Sequence, residues 1–574
     1  MKAKYFIPLI CFLTISLPCS VVMMPSSPFL MAQFFFFLAG FGMTYFFAVT
    51  QTIKKRNAVS KSKAKSPYIM PVLIFSLVTA VTSLFFIPGE IERIAQFSGC
   101  CGMALFCYAA GVILLLHDIK KSAGQLVPKH KRDDAYEKRL LLINPVNPHK
   151  TGLTLNESSR FPPLALGIIA ALTPDNFHVE LIDENIEPFV YKKADLVGIT
   201  AFSSSAGRAY ELASYYRKRG VPVVMGGIHA SMLPDEALRH VDSVVIGEAE
   251  EVWPVLINDF LKGKLKDRYK AQARQLVHMP LARRDIFSPQ YMFATVQTSR
   301  GCPMDCEFCS VTAFNGRRYR QRPVPEVLDE LELINEQFIF FVDDNIIGYS
   351  KASAGRAVRL FKGMVERKLN KVWFCQASLN FGSDDEVLYW AQKAGCKMVF
   401  LGLESPDPEE LKTMNKKINL RIDYKKALAN INKHKIAILG AFINGTQNET
   451  AQSLRNKADY ILHHPIDVIQ ATVLTPLPGT RFFRKLEQEK RLIYTNFPKD
   501  WEKYNMGDLT FKLNNMAREE FMEVHKECNK RFYSRVNLIK QFLKTLIHTK
   551  SMESALWAYS SNKNYRNVSF AYMR

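Results

Sequence analysis

The feature that most restricts the fold of this chain is an alternation of short apolar runs with amphipathic segments, repeated from Arg139 to about residue 474. Apolar runs bounded by turn residues read as buried strands, and the longer segments between them, apolar at helical period, read as helices. Strands joined through helices lie parallel, so the expected class is α/β. The alternation comes in two blocks. The first, about 138–265, opens on Arg139-Leu-Leu-Leu-Ile-Asn-Pro145 and continues with strands expected at 178–184, 195–200, 221–225 and 243–247. It reads as a Rossmann-like, doubly wound sheet. The second, about 290–490, has strands expected at 293–298, 338–342, 372–377, 398–403, 436–443 and 468–474. Ligands of parallel sheets and barrels sit at the carboxyl ends of the strands. Polar and glycine-rich turns fall at those ends in both blocks.

The second block starts with the most specific stretch in the chain, Gln297-Thr-Ser-Arg-Gly-Cys-Pro-Met-Asp-Cys-Glu-Phe-Cys-Ser310. Cys302, Cys306 and Cys309 stand in a C-x3-C-x2-C spacing. Thiolates so spaced can cap three irons of a [4Fe–4S] cubane. No further cysteine follows until Cys375 and no histidine lies between His278 and His434, so one iron is left for a ligand that is not protein. A structural zinc site would want a fourth ligand, and a disulfide would leave an odd thiol.

The first 120 residues differ from the rest. Four apolar segments, at about 5–24, 29–53, 68–88 and 91–116, each approach the ~20 residues that span a bilayer as a helix. Basic residues cluster after the second segment (Lys54, Lys55, Arg56, Lys61, Lys63, Lys65) and after the fourth (Lys120, Lys121, Lys129, Lys131, Arg132). By the distribution of positive charge, these stretches and everything beyond residue 120 are expected in the cytoplasm. The expected organisation is thus four transmembrane helices at 1–120, a charged linker at 121–137, the two α/β blocks, and a helical extension at 495–574. The localisation expected is a multi-pass protein of the bacterial inner membrane. The net charge of +22 is assigned to topology rather than to nucleic acid, because neither a helix-turn-helix pattern nor a zinc-finger spacing is present.

The cysteine motif, with Phe308 before its third cysteine, resembles the signature of radical S-adenosylmethionine (SAM) enzymes. In that family the open iron chelates SAM, and reduction cleaves SAM to a 5′-deoxyadenosyl radical. The second block fits the family's partial (β/α)6 barrel. A Rossmann-like block directly before the motif resembles the cobalamin-binding members of the family. The turns that carry this likeness are Phe161-Pro-Pro-Leu-Ala-Leu-Gly167, Val224-Met-Gly-Gly-Ile-His229 and Val245-Ile-Gly-Glu-Ala-Glu250. The resemblance implies three cofactors: a [4Fe–4S] cluster on Cys302, Cys306 and Cys309, SAM, and cobalamin.

The same resemblance places Asp343, Gln376, Glu404 and Ser405 on SAM, and Ser203, Gly226, Gly227 and Gly247 around cobalamin. Asp344, Asn345 and Ser405 read equally well as helix caps; Glu404 is the poorest cap of the set. Asn147-Pro-His149-Lys-Thr-Gly152 is similar to the D-x-H-x-x-G signature that puts a histidine on cobalt, with Asn in place of Asp. His149 is a cobalt ligand on that reading and an exposed loop residue on the other.

The function expected is methylation of an unactivated carbon of a small-molecule substrate. The apolar segments point to a lipid and to the membrane as partners, with a low-potential electron donor such as flavodoxin or ferredoxin. Oxidative cyclisation or rearrangement with the same cofactors is the alternative enzyme, and a redox or cobalamin sensor the alternative outside enzymology. The carboxy-terminal helices, including one expected over Met516–Leu546, are expected to cover the open side of the barrel.

Overall fold

A computed structural model describes residues 137–147 and 161–571. The four apolar segments, the linker up to residue 136 and His149 lie outside those residues. The expected multi-pass membrane placement is corrected: among the described residues no helix is long and apolar enough to cross a membrane. The physical reason lies in how apolar residues are used there. They are spread over short strands covered on both faces and one-sided helices, and the longest described helix, Met552–Ala571, carries Glu553, Asn562, Lys563, Asn564 and Arg566.

The first sheet has the order β2-β1-β3-β4-β5-β6. Its strands are β1 (Lys138–Asn144), β2 (Phe177–Asp183), β3 (Leu196–Thr200), β4 (Val223–Gly226), β5 (Ser243–Ile246) and β6 (Arg268–Lys270). Every pairing in it is parallel. Alternate residues of β1 enter opposite cores, Leu141 and Ile143 on one face and Leu140 and Leu142 on the other. This is why the strand reads as one unbroken apolar run. Helices Leu164–Ala171 and Trp253–Leu261 cover one face, and Ala206–Arg217 covers the other. Strand order reverses between β1 and β3, which opens a crevice at their carboxyl ends.

The second sheet runs β14-β13-β12-β11-β10-β7. Its strands are β7 (Ala294–Val296), β10 (Phe338–Phe341), β11 (Val372–Ala377), β12 (Cys396–Glu404), β13 (Ala437–Asn444) and β14 (Val468–Val473). All are parallel, and β7 and β14 stay unpaired edges, so the barrel is open. A short antiparallel pair, β8 (Ser299–Arg300) with β9 (Arg320–Gln321), interrupts the βα rhythm directly after β7. The cysteine segment is the excursion between those two strands.

The carboxy-terminal region departs from expectation. The single helix read over Met516–Leu546 is two, Arg518–Phe532 and Arg535–Thr549, separated at Tyr533-Ser534, with Ser534 capping the second. The last helix packs on the amino-terminal end of the barrel and along its open edge at β14. Ser554 donates to Lys397 O at the start of β12, Asn562 bonds the main chain at the start of β14, and Trp557 packs at steep ring angles among Phe293, Phe338 and Phe374. The opposite end of the barrel is left free of this helix.

Helix Arg518–Phe532 carries His525, which is buried between Asn444 at the end of β13 and Asn529. Both amides turn their nitrogens to the ring, and a neutral imidazole has one lone pair to accept from them. Burial, reinforced by the Lys457 charge, depresses the imidazole from 6.5 to about 4. The unfolded chain therefore binds a proton near pH 6.5 that the folded chain refuses until about pH 4. Stability contributed by His525 is complete above pH 6.5 and is lost as pH falls toward 4, by roughly 3 kcal/mol. Denaturant titrations of wild type and His525→Gln across this window are expected to show the acid-dependent loss only in wild type.

Candidate active site

The cysteine segment leaves β8 at Gly301 and returns at β9. Gly301 has φ +85°, and a Cβ there would lie 2.2 Å from Arg318 O, so the turn admits only glycine. Cys306 is buried, Cys302 and Cys309 are half-buried, and all three are free thiols. Burial pushes the Cys306 thiol up to about 12, against the opposing Lys416 charge, and raises Cys309 as well. Such groups stay protonated unless a strong positive charge takes the proton's place, as a metal centre does.

Among the described residues no three Cys, His, Asp or Glu side chains converge on one point as a single ion requires. A cubane does not require that, since each thiolate meets a different iron. The other described cysteines are used elsewhere. Cys375 and Cys396 lie in the barrel core, and Cys528 donates to Leu454 O. Three sulfurs with no fourth fit a cluster with an open iron.

Distant parts of the chain hold this loop. Asn415 donates to Asp305 O at 2.6 Å, Glu307 N–H to Met414 O at 3.4 Å, and Arg481 to both the main chain and the carboxylate of Asp305 at 2.8 Å. The Tyr349 hydroxyl lies 3.4 Å from Cys302 Sγ and 2.5 Å from Ser378 Oγ. Phe308 is half-buried against the barrel core.

The carboxylates at the strand ends divide into two groups. Asp343, fully buried, accepts from Thr298 N–H and hydroxyl and from the Ser299 hydroxyl, so it fixes the strand entering the cysteine loop. Burial raises its pKa. Asp344 accepts from Gly301 N–H at 3.1 Å, and burial pushes it up to about 6. Both are thus engaged by scaffold.

Glu404 is different. It ends β12 in the left-handed region, φ +62°, at a register shift between β12 and β13. Such a conformation costs energy in a residue with a Cβ. Its carboxylate pairs with the buried Lys416 ammonium at 2.6 Å. A Cβ at Gly402 would come within 2.7 Å of that carboxylate, so glycine makes room for the pair.

Ser405 is buried, and its hydroxyl oxygen accepts from Asp407 N–H in a local turn, which leaves its O–H free to donate. Gln376 is half-buried on the inward face of β11, in line with Phe374.

The first sheet presents glycine turns at the same level. Gly227 (φ +88°) would place a Cβ 2.6 Å from Thr200 Oγ1, and Gly247 has φ +86°. Ser231 links the two turns, donating to Gly227 O and accepting from Gly247 N–H. Gly226, Gly227 and Gly247 line a cavity of about 430 Å³, whose far wall is Thr295, Gln297, Arg300, Phe314 and Asn315 from the barrel. Ser203 is not in that wall; it bonds His229 in a buried network with Tyr210, Glu236 and Trp501.

Sequence reasoning missed Lys416, Tyr349 and the charges that join the two sheets. Glu248 and Glu250, after Gly247, pair with Arg300, and Glu248 also pairs with Arg320. Burial pushes the Glu248 carboxyl up, but the two guanidiniums outweigh it and hold it below the usual range. Lys416 carried no signal, being one of two adjacent lysines after a short helix. Arg300 and Glu248 each stood in a quoted motif, and only the fold shows that they meet.

The comparisons fall on the same two regions. The radical SAM superfamily matches residues 296–461 and the B12 binding domain matches residues 151–257. Bacteriochlorophyllide d C-12(1)-methyltransferase of Chlorobaculum tepidum is 30% identical over 426 residues, 70% of this chain and 89% of that one. The chain belongs to the cobalamin-binding radical SAM enzymes. This radical SAM enzyme uses a [4Fe–4S] cluster, SAM and cobalamin as cofactors.

Two solved structures share the fold. The cobalamin-dependent radical SAM enzyme OxsB, with aqua-cobalamin and SAM bound, has TM-score 0.55 at 16% identity, covering 76% of this chain and 72% of that one. The radical SAM methyltransferase TsrM of Kitasatospora setae, with cobalamin and a [4Fe–4S] cluster bound, has TM-score 0.54 at 16% identity, covering 74% and 99%.

The Glu404–Lys416 pair gives a test of the barrel mouth. Removing one partner of a buried ion pair leaves an uncompensated charge and costs about 3–5 kcal/mol, whereas replacing both with apolar groups is close to neutral. Glu404→Ala is expected to lower unfolding stability by about 3 kcal/mol, and Glu404→Leu with Lys416→Met to recover most of it, read by denaturant titration.

Proposed function

We propose that this radical SAM enzyme methylates an unactivated carbon of an apolar small molecule. The observation that carries the reading is the shared cavity. The glycine turns of the first sheet and the strand end that feeds the cysteine loop are two walls of one space. When bound, the cluster with SAM supplies a radical that abstracts hydrogen, and cobalamin supplies a methyl group; two cofactors bordering one space favour their acting on one substrate.

The chain's own residues divide the remaining tasks. Cys302, Cys306 and Cys309 hold the cluster. Glu404 and Lys416, charges of opposite sign at the mouth beside Cys306, suit the amino and carboxylate groups of SAM. Gly226, Gly227 and Gly247 let main chain approach the corrinoid's nucleotide tail without Cβ clashes. The substrate faces Phe161, Ile168, Ile169, Ile199 and Val245, side chains that offer no hydrogen bonds. Phe161 also packs, tilted, on Phe340 and Phe374 of the barrel, at 4.7 and 5.6 Å between ring centroids. These walls favour apolar substrates of the lipid class and exclude water from the reacting carbon.

The test is anaerobic turnover of reconstituted protein with methyl-deuterated SAM and an organic extract of apolar small molecules. The expected result is 5′-deoxyadenosine together with a product one labelled methyl group heavier. A product with a new ring and no added carbon would replace methylation by cyclisation. Cys306→Ala is expected to lose cluster iron, sulfide and both products.

A further inference from the structure

The neck of the cysteine loop is fastened to the first sheet by two carboxylates, of which Glu248 alone reaches both strands of the neck. Strands β8 and β9 pair Arg300 with Arg320 across the base of the excursion that carries all three cysteines. Both guanidiniums turn to Glu248, with Arg300 Nη1 and Arg320 Nη1 each 3.0 Å from Oε2 and Arg320 Nη2 on Oε1. Arg300 is held further by Glu250 at 2.5 Å and Gln297 at 2.7 Å, and Arg320 by Arg274 O at 2.8 Å. The two arginine side chains are 10% and 5% exposed and Glu248 is 13% exposed, so the pairing is shielded from solvent and weakly screened. Glu248 follows Gly247, and Gly247, Glu248, Glu250 and Arg300 border the same cavity.

We propose that Glu248 is a positioning residue that couples the two cofactor sites, so that cobalamin on the glycine turns and the cluster in the cysteine loop each strengthen the other's binding. The proposal rests on the placement of cobalamin at Gly226, Gly227 and Gly247. The physical basis is that both sites must fix the same side chain. Ordering the Gly247–Glu250 turn around cobalamin sets the Glu248 carboxylate. That carboxylate is the common anchor of the two strands from which the cysteine loop springs. Cluster assembly fixes the loop and so prepays the ordering of the turn. Such coupling is reciprocal: the factor by which the cluster tightens cobalamin is the factor by which cobalamin tightens the cluster.

The experiment uses the full chain, purified without oxygen, with and without a reconstituted cluster. Hydroxocobalamin affinity is measured by absorbance titration. The electron paramagnetic resonance spectrum of the reduced cluster is recorded with and without cobalamin. In wild type, cobalamin is expected to bind about 5-fold tighter or more when the cluster is present, typical of coupled sites, and to sharpen the cluster spectrum. In Glu248→Gln, which keeps shape but removes the charge, the two affinities are expected to converge and the spectrum to lose its response to cobalamin. Arg320→Gln, which cuts the same anchor from the other side, is expected to act alike.

Equal affinities in wild type with and without the cluster would overturn the coupling. So would a Glu248→Gln protein whose affinities both fall but keep their ratio, the signature of a direct cobalamin contact. Gly227→Val distinguishes failure of the placement from failure of the coupling. If that variant binds cobalamin as wild type does, the cradle lies elsewhere and the proposal falls with it.

Discussion

Everything at the barrel mouth follows from three thiols gathered on one loop, two of which burial holds protonated. Desolvation raises Cys306 and Cys309, and the Lys416 ammonium that opposes it is already paired with Glu404. The protein has built a site that is electrostatically incomplete and that a polycationic metal core completes. Its surroundings make sense in that light. Asp343 and Asp344 hold the main chain at Thr298 and at Gly301, where the loop turns inward.

Parallel sheets supply the second constraint. All strand carboxyl ends of one sheet lie along one edge, so placing two such edges against one cavity brings the polar turns of both domains together. The Rossmann-like sheet contributes glycines, which remove bulk. The barrel contributes cysteines and charges, which supply chemistry. The Glu248–Arg300–Arg320 set fixes the distance between them. Aromatic packing then closes the other end: Trp557 from the last helix seals the bore beneath Phe293, Phe338 and Phe374.

Much of this fold was legible because buried parallel strands leave an unbroken apolar signature. Leu140–Ile143 and Ala437–Ile443 show it plainly. The cysteine spacing was legible for a chemical reason, since ligands of one cluster must be close in sequence or held by a fold the sequence does not display. What escaped were contacts made by the fold alone. Lys416 reaches Glu404 across a helix and turn, and Glu248 reaches Arg320 across 72 residues.

A polar residue at a strand end can face the mouth or brace the scaffold, and its letter is the same in both cases. Asp343 accepts from Thr298 on the strand beside it, and Ser405 accepts from Asp407 within its own turn. The helix over Met516–Leu546 was read as continuous because its helix-forming residues run through Tyr533-Ser534. The break shows in Ser534, a good cap that also passes unnoticed inside a helix.

The central claim is a cluster with one iron left to SAM. Mössbauer spectroscopy of anaerobically reconstituted, iron-57-labelled protein, with and without SAM, tests it most directly. The account predicts that SAM shifts the parameters of a single iron of the cluster and leaves the others unchanged. Irons that all keep their parameters in the presence of SAM, or a site that retains zinc and no inorganic sulfide, would contradict it.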